Sequence, residues 1–327
     1  MYNVRKVTED IVWVGASDRR LALFENIFPI PRGVSYNSYV LLDEKTVLLD
    51  TVDASVAGQF FENLEHVLDG RKLDYLIVNH MEPDHCAMIG DLVRRYPEVQ
   101  VVGNTKTFGM IKQFFGTDFA ERAVTVKEGD TLSTGAHTLH FVMAPMVHWP
   151  EVMTAYEETE KILFSADAFG RFGALERTAR APWAPQARRY YYNIVGKYGA
   201  QVQALLKKAA TLDIRTIAPL HGPILRENLG YYIDKYDTWS SYRPESDGVF
   251  IACASIYGNT AKAARALAEI LEAKGAKKVS FADLARDDMA EAVEDAFRYD
   301  KLVVAASTYD GGIFTPMENF LSQLAHK

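Results

Sequence analysis

Four side chains that can bind a metal ion lie between positions 80 and 85, directly after a strand-like run. The run, residues 74–78, is rich in apolar and β-branched residues and therefore predicts a strand. His80, Glu82, Asp84 and His85 follow it, and Pro83 removes one backbone donor from the segment. We predict an extended loop, not a helix, that presents these side chains to one side of the strand end. A polar surface turn is the alternative.

Three more candidate ligands stand just past short apolar runs further along the chain, namely His148, Asp167 and His221. Loops at the ends of neighbouring strands can converge, so we predict one site with seven ligands. Taken singly, each residue has another explanation: a turn histidine for His148, a helix N-cap for Asp167, and a ring-to-carbonyl hydrogen bond for His221. His137 and His140 flank a different strand-like run, and we expect both to be structural.

This order of ligands resembles the metallo-β-lactamase fold in the version carried by flavodiiron proteins (A-type flavoproteins). Zinc hydrolases of that fold usually show His-x-His-x-Asp-His, and Glu82 is the residue that departs from their pattern. With Glu82, Asp84 and Asp167 the set holds three carboxylates beside four imidazoles, which is harder and more anionic than a hydrolytic zinc site. Iron tolerates such a set and can change its oxidation state.

The resemblance, which runs from about Asn3 to the last residue, implies a role for each ligand. One iron is expected at His80, Glu82 and His148, the other at Asp84, His85 and His221, and Asp167 is expected to bridge them. In some members of the family water takes the place of the ligand at the His85 position. The family reduces dioxygen to water or nitric oxide to nitrous oxide with electrons from FMN. The resemblance also implies a head-to-tail homodimer and an electron donor such as rubredoxin or a flavin reductase.

Composition is that of an ordinary globular protein: 327 residues, 48% hydrophobic and 24% charged. The net charge of −7 argues against a non-specific nucleic-acid binder and against binding to anionic membranes. Cys86 and Cys253 fall in different predicted domains and provide no disulfide framework. Neither a signal peptide nor a membrane-spanning run is recognisable, so we expect a cytoplasmic protein.

Strands and helices alternate through the first part of the chain, which predicts an α/β fold. A hairpin is predicted at 38–50, helices at 55–68, 87–96, 105–115 and about 185–210, and short strands and hairpins at 123–164. With the resemblance, this gives an αββα metallo-β-lactamase-like sandwich over residues 1–246. A partial flavodoxin-like doubly wound parallel sheet is expected over residues 247–327.

Two loops in the second predicted domain are typical of a flavin site. A small-residue loop between the apolar strand 249–254 and a helix offers free N–H groups, a favourable helix dipole and hydroxyl donors to a phosphate. It lacks the Gly-Lys-Ser/Thr of a Walker loop. Both loops resemble the FMN loops of flavodoxins, the second packing on the flavin ring. The expected FMN-binding residues are Ser255, Ile256, Tyr257, Gly258, Asn259 and Thr260 in the first loop and Ser307, Thr308, Tyr309, Asp310, Gly311, Gly312, Ile313 and Phe314 in the second.

Only three strands are predicted in this domain, at 249–254, 278–281 and 302–306, followed by a helix from about 316. A flavodoxin-like unit has five in the order 2-1-3-4-5. We therefore expect strands 4 and 5 to be missing, through truncation or because a partner chain supplies the edge. Weak FMN binding and an exposed apolar edge would follow.

Two other functions remain open from the sequence. One is a zinc-dependent hydrolase of thioesters or lactams, which metal analysis would identify. The other is a flavin carrier whose metal site has decayed, for which bound FMN without iron would be the sign.

Overall fold

The structure, a computed structural model, describes residues 2–327 and divides the chain into two units. The first unit comprises the chain up to Ala22 together with Ile30–Pro182 and Ala204–Ile233. The second comprises Leu23–Pro29, Trp183–Gln203 and Asp234–Lys327. The domain boundary expected after residue 246 stays a prediction. Among the described residues, none of the helices combines the length and the apolar character needed to cross a bilayer.

The strands are mostly short. They are β1 Arg5–Lys6, β2 Ile11–Trp13, β3 Ala16–Asp18, β4 Leu23–Phe24, β5 Phe28–Pro29, β6 Val34–Tyr36, β7 Tyr39–Leu41, β8 Val47–Leu49, β9 Tyr75–Ile77, β10 Gln100–Gly103, β11 Ala123–Thr125, β12 Thr131–Ser133, β13 Thr138–Met143, β14 Met153–Glu157, β15 Ile162–Phe164, β16 Thr216–Ala218, β17 Ser246–Ala254, β18 Val279–Asp283, β19 Tyr299–Ala306, β20 Thr308–Tyr309 and β21 Gly312–Ile313.

The helices range from a single turn to four turns. They are α1 Ala57–Leu68, α2 Pro83–Cys86, α3 Ile89–Arg95, α4 Thr105–Phe115, α5 Leu175–Thr178, α6 Trp183–Tyr190, α7 Gly199–Ala209, α8 Leu229–Ser240, α9 Asn259–Ala273, α10 Met289–Arg298 and α11 Thr315–Ala325.

Two large sheets form the layers of the first unit, beside the two-stranded pair β3-β6. The seven-stranded sheet has the order β1-β2-β7-β8-β9-β10-β11, and the five-stranded sheet has the order β12-β13-β14-β15-β16. Alternate residues of both sheets meet in one buried cluster, which includes Trp13, Leu49, Ile77, Phe141 and Phe164. The shared cluster makes the two sheets the inner layers of a sandwich.

The larger sheet is covered on its other face as well. Val12, Val40, Leu48 and Leu76 alternate with the residues of the shared cluster and are also buried. Because both faces are buried, its strands are nearly continuous apolar runs. The predicted hairpin between residues 38 and 50 is confirmed as the antiparallel pair β7 and β8.

The segment that was predicted to be an extended loop after β9 is partly helical, so that prediction is wrong. Glu82 is extended (φ −63°, ψ 141°) and occupies the N-cap position of α2, which contains Asp84 and His85. Pro83 stands at the first helical position, where its missing N–H has no partner to lose and its fixed φ suits the helix. At this change from extended to helical backbone, His80 and Glu82 face one group of potential metal ligands, whereas Asp84 and His85 face another.

A three-stranded parallel sheet in the order β18-β17-β19 lies at the centre of the second unit. Its faces carry two buried clusters, one around Phe250, Val293 and Phe320 and the other around Ile251 and Ala264. The order is that of the first three strands of a flavodoxin-like sheet, 2-1-3. On β19, Leu302 and Val304 are 41% and 50% exposed, as expected for an apolar edge strand.

The helical stretch predicted at about 185–210 is not one continuous helix. A π-helical turn at Tyr191–Val195 and a 3-10 turn at Gly196–Tyr198 separate α6 from α7. Tyr190, Tyr191 and Tyr192 in this stretch are buried, and Tyr192 stacks on Phe297 with ring centroids 4.6 Å apart.

Candidate metal centre and phosphate loops

All seven predicted ligands lie together in the first unit, because each stands at or just beyond a strand end. His80 and Glu82 follow β9, and α2 carries Asp84 and His85. His148 lies in the loop between β13 and β14, Asp167 follows β15, and His221 follows β16. Each of the seven is at most 7% exposed.

The first set of ligands consists of His80, Glu82, His148 and Asp167, with one donor atom of each within 4.8 Å of the others. His148 Nε2 is 3.0 Å from Glu82 Oε2 and 3.1 Å from Asp167 Oδ2. His80 Nε2 is 3.3 Å from Glu82 Oε2 and 3.4 Å from Asp167 Oδ2. Two imidazoles and two carboxylates therefore converge on one point.

The second set consists of Asp84, His85 and His221. The Nε2 atoms of the two histidines are 3.1 Å apart, and they lie 3.4 and 3.2 Å from Asp84 Oδ2. His85 Nε2 is also 3.2 Å from Asp167 Oδ1, the oxygen that does not face the first set. Asp167 thus turns one oxygen toward each set.

The chemistry of these donors fits a pair of cations. His221 Nδ1 lies 2.8 Å from the Ser35 carbonyl oxygen and must donate there, which leaves Nε2, the nitrogen that faces His85, as the atom available to a metal. Neither oxygen of Asp84, nor Asp167 Oδ1, accepts a hydrogen bond of normal geometry within the described part of the chain. Buried carboxylate oxygens that receive no hydrogen bond are stabilised by a metal ion.

The pKa values of the ligands in the metal-free site also favour the binding of cations. Burial favours neutral His148 and His221, but hydrogen bonds and charge from the neighbouring carboxylates outweigh it and raise both pKa values to about 9. Burial also opposes ionisation of Glu82 and Asp167, yet the facing imidazoles hold the pKa of each carboxyl well below its usual range. The site therefore keeps its carboxylates charged and attracts positive charge.

Two acidic residues that sequence reasoning missed hold the ligand segment in place. Asp50, just past β8, accepts hydrogen bonds from the Asn79 side chain and from the backbone N–H groups of Asn79 and His80. Burial raises the pKa of Asp50 to about 6, although these donors and the charge of His85 lower it. Glu151 contacts His80 Nδ1 at 2.8 Å and accepts the Met81 N–H. Asp50 could have been found by the criterion that identified the ligands, a polar residue directly after an apolar strand.

The histidines expected to be structural lie outside this site. His137 bonds Glu157 through Nδ1 at 2.9 Å, and His140 pairs with Glu158 at 2.8 Å. Neither belongs to a group of potential metal ligands in the described chain.

The structure brings the two predicted phosphate and flavin loops of the second unit together. Ser255 Oγ accepts the Gly258 N–H at 3.0 Å, and Gly258, in the left-handed region at φ +87°, precedes α9 without a side-chain cap. Thr260 and Ser307 join the loops through a hydroxyl contact of 2.9 Å. Hydroxyls thus cluster beside uncapped N–H groups, which fits a phosphate.

The second loop contains a small hairpin. β20 and β21 pair around Asp310 and Gly311, both of which have positive φ (49° and 75°), as a tight hairpin turn requires. Tyr309 is half exposed, and its ring lies 5.7 Å from that of Phe314. Tyr257 in the first loop is 92% exposed. These exposed rings beside the hydroxyl cluster suit a planar ligand.

Comparison with known proteins covers both units. The family model described as ODP family beta lactamase matches residues 34–222, and a flavodoxin domain model matches residues 250–327. The chain is 33% identical over 303 residues to a nitric oxide reductase from Moorella thermoacetica, covering 89% of this chain and 75% of that protein.

Two solved structures are similar over almost the whole chain. The flavodiiron protein from Giardia intestinalis has a TM-score of 0.93 at 25% identity, covering 99% of this chain and 80% of the other. Rubredoxin oxygen:oxidoreductase from Desulfovibrio gigas has a TM-score of 0.91 at 27% identity, covering 98% and 82%.

Proposed function

Because the chain belongs to the flavodiiron proteins, we propose that it is an oxidoreductase that reduces nitric oxide, dioxygen or both at a pair of irons. The observation that carries this proposal is the arrangement of six buried ligands in two sets on either side of a seventh, Asp167. Each set offers two imidazoles and one carboxylate of its own. The relatives named for nitric oxide reduction and for oxygen reduction support both substrates.

The protein's own residues prepare this chemistry. Two irons at these positions would supply reversible changes of oxidation state and a place between them for a diatomic molecule. Asp167 holds the two positions together through its separate oxygens, while Glu82 and Asp84 give each position its own negative charge. Burial of all seven ligands limits the access of water. The products are proposed to be water from dioxygen and nitrous oxide from nitric oxide.

FMN is the proposed source of electrons within the protein. The first loop, Ser255 to Thr260, would hold its phosphate, and the second, Ser307 to Phe314, would lie against its ring system. The flavin would receive electrons from a redox protein such as rubredoxin, or from a flavin reductase. We propose domains at 1–246 and 247–327. We also propose a head-to-tail homodimer, and sedimentation analysis would test whether the protein is a dimer.

Anaerobic reconstitution with iron and FMN tests the function. We expect two irons per chain and consumption of nitric oxide or dioxygen when a chemical or protein reductant is supplied. The zinc-loaded protein should hydrolyse thioesters and lactams only at background rates. Strong hydrolysis with zinc and no consumption of either gas with iron would overturn the proposal in favour of a hydrolase.

A further inference from the structure

The two metal positions have matched ligands but different surroundings. His80, His148 and Glu82 form one position, and the other has the same composition, with Asp167 turned toward both. Differences between the positions must therefore come from the groups that contact the ligands from behind. The ring nitrogen of a histidine that faces away from the metal is the usual point of such contact.

The first position has an anionic contact of this kind. His80 Nδ1 lies 2.8 Å from Glu151 Oε1, and both side chains are fully buried. The same oxygen accepts the Met81 N–H at 2.8 Å, which ties Glu151 to the ligand segment itself. The other carboxylate oxygen, Oε2, has no hydrogen-bond partner in the described chain. The carboxylate is thus directed at His80 alone among the ligands.

Glu151 is also fixed through its backbone. Its carbonyl oxygen accepts a hydrogen bond from Asn104 Nδ2 at 2.5 Å, and Asn104 caps α4 with its side-chain oxygen. The carboxylate is therefore held from the loop that also carries His148 and from the start of a helix. A contact anchored on two sides keeps its geometry when a metal enters or leaves.

In the second position, the histidine ring nitrogens that face away from the metal have an uncharged partner or none. His221 Nδ1 faces the Ser35 carbonyl oxygen at 2.8 Å. His85 Nδ1 is buried and has no hydrogen-bond partner among residues 2–327. A carboxylate makes an imidazole a stronger donor to a metal than a carbonyl does, because it draws the ring proton toward itself.

We propose that Glu151 is a positioning residue that makes the two metal positions unequal, by holding the Nδ1 proton of His80 so that His80 Nε2 binds its metal more strongly. The inference rests on the proposed function for the presence of two metals. The position at His80, Glu82 and His148 then fills first and holds its iron at the lower reduction potential. The position at Asp84, His85 and His221 fills second and gives up its metal first.

The chain offers a matched control. Glu157 is buried and contacts the Nδ1 atom of His137 at 2.9 Å, which is the same carboxylate–imidazole pair at a histidine that belongs to no ligand group. Glu151→Gln and Glu157→Gln each remove one buried negative charge and retain an oxygen that can accept the ring N–H. Only Glu151→Gln alters a contact to a proposed ligand.

The test is stepwise titration of the metal-free, full-length protein with cobalt(II), whose visible spectrum reports ligand binding without turnover. We expect Glu151→Gln to weaken the first of two binding steps by about 10- to 100-fold and Glu157→Gln to leave both unchanged. In the iron-loaded protein, the lower of the two midpoint potentials should rise in Glu151→Gln only. Equal weakening of both steps, no weakening, or the same loss in Glu157→Gln would overturn the proposal.

A measurement on the unaltered protein keeps the test independent of variant folding. In the zinc-loaded protein, nitrogen NMR should find His80 with a hydrogen-bonded proton on Nδ1 and the metal on Nε2. The opposite tautomer would overturn the role of Glu151. Two cobalt-binding steps, together with no consumption of either gas by the iron- and FMN-loaded protein, would refute the proposed function while leaving the inequality of the two positions measurable.

Discussion

Metal affinity should rise steeply with pH, because the metal-free site holds protons that a metal must displace. Burial favours the neutral rings of His148 and His221, but close contact with the carboxylates of Asp167, Glu82 and Asp84 and their negative charge raise both pKa values to about 9. At pH 7 both imidazoles are therefore protonated, and each must lose its proton to bind a metal.

The size of the effect follows from the distance between pH 7 and the two pKa values. Two pH units correspond to about 2.7 kcal/mol, or about 100-fold in affinity, for each histidine. Affinity should increase as pH rises from 7 toward 9 and then level off.

The free energy of unfolding of the metal-free protein should fall over the same pH range. A raised folded-state pKa stabilises the protein below the unfolded value of about 6.5, and this stabilisation is lost as pH rises through about 9. The rise in Tm caused by metal should therefore widen with pH.

Zinc calorimetry in buffers of different ionisation enthalpy measures both the affinity and the protons released. At pH 7 we expect about one proton from each of these two histidines. His148→Ala should release about one proton fewer, whereas His140→Ala, which alters a histidine outside the site, should match the unaltered protein. A flat affinity between pH 7 and about 8.5, with no protons released, would refute the reasoning.

Five further substitutions test separate parts of the structure. Asp167→Ala should abolish binding of both metals, whereas Glu82→Ala should weaken binding at mainly one position. Metal analysis per chain measures both effects. Full iron occupancy in the Asp167 variant would contradict the bridging role. Gly258→Ala should weaken FMN binding in a fluorescence titration, because its φ of +87° costs alanine about 1–2 kcal/mol although no atom blocks a Cβ there; unchanged affinity would contradict this. Phe141→Ala should lower the free energy of unfolding by about 3–5 kcal/mol in urea, because Phe141 is fully buried between the sheets. Arg188→Met should lower the free energy of unfolding by about 3–5 kcal/mol, since it removes the cation paired with the buried Glu294, whereas Glu245 keeps Lys235. A loss below about 1 kcal/mol would show that the ion pair is dispensable.

The ligand residues could be found from the sequence because residue type and placement agree. His148, Asp167 and His221 each follow a short apolar run, and strand ends on the same side of a sandwich are close in space. The hairpin at β7 and β8 and the parallel strands of the second unit could be predicted because their apolar patterns are long and clear.

The local backbone of the site was harder to predict. A helix of one turn is too short to show apolar periodicity, so α2 was missed, although Pro83 at its first position is a helix-start signal. The π-helical turn after α6 has no sequence signature of its own, because its tyrosines pack as they would in a regular helix.

The contact between Glu151 and His80 could not be predicted, because it joins positions 71 residues apart through a loop with no motif. The ligands can be recognised in the sequence because they share residue types that bind metals. Supporting contacts such as Glu151 to His80 depend instead on how a particular pair of loops packs. Only the folded structure shows which of the many acidic side chains meets a ligand.

The seven ligands also connect the two sheets of the first unit. His80, Glu82, Asp84 and His85 extend from β9 in the larger sheet, while His148, Asp167 and His221 follow β13, β15 and β16 in the smaller one. A bound pair of metals is therefore a cross-link between two layers, and it closes several long loops of the chain at a single point. Without it, only the apolar cluster and the loops' own hydrogen bonds hold that end of the sandwich shut. Removal of metal should consequently raise amide hydrogen exchange first at the ligand-bearing strand ends, while the centre of the sandwich around Phe141 stays protected.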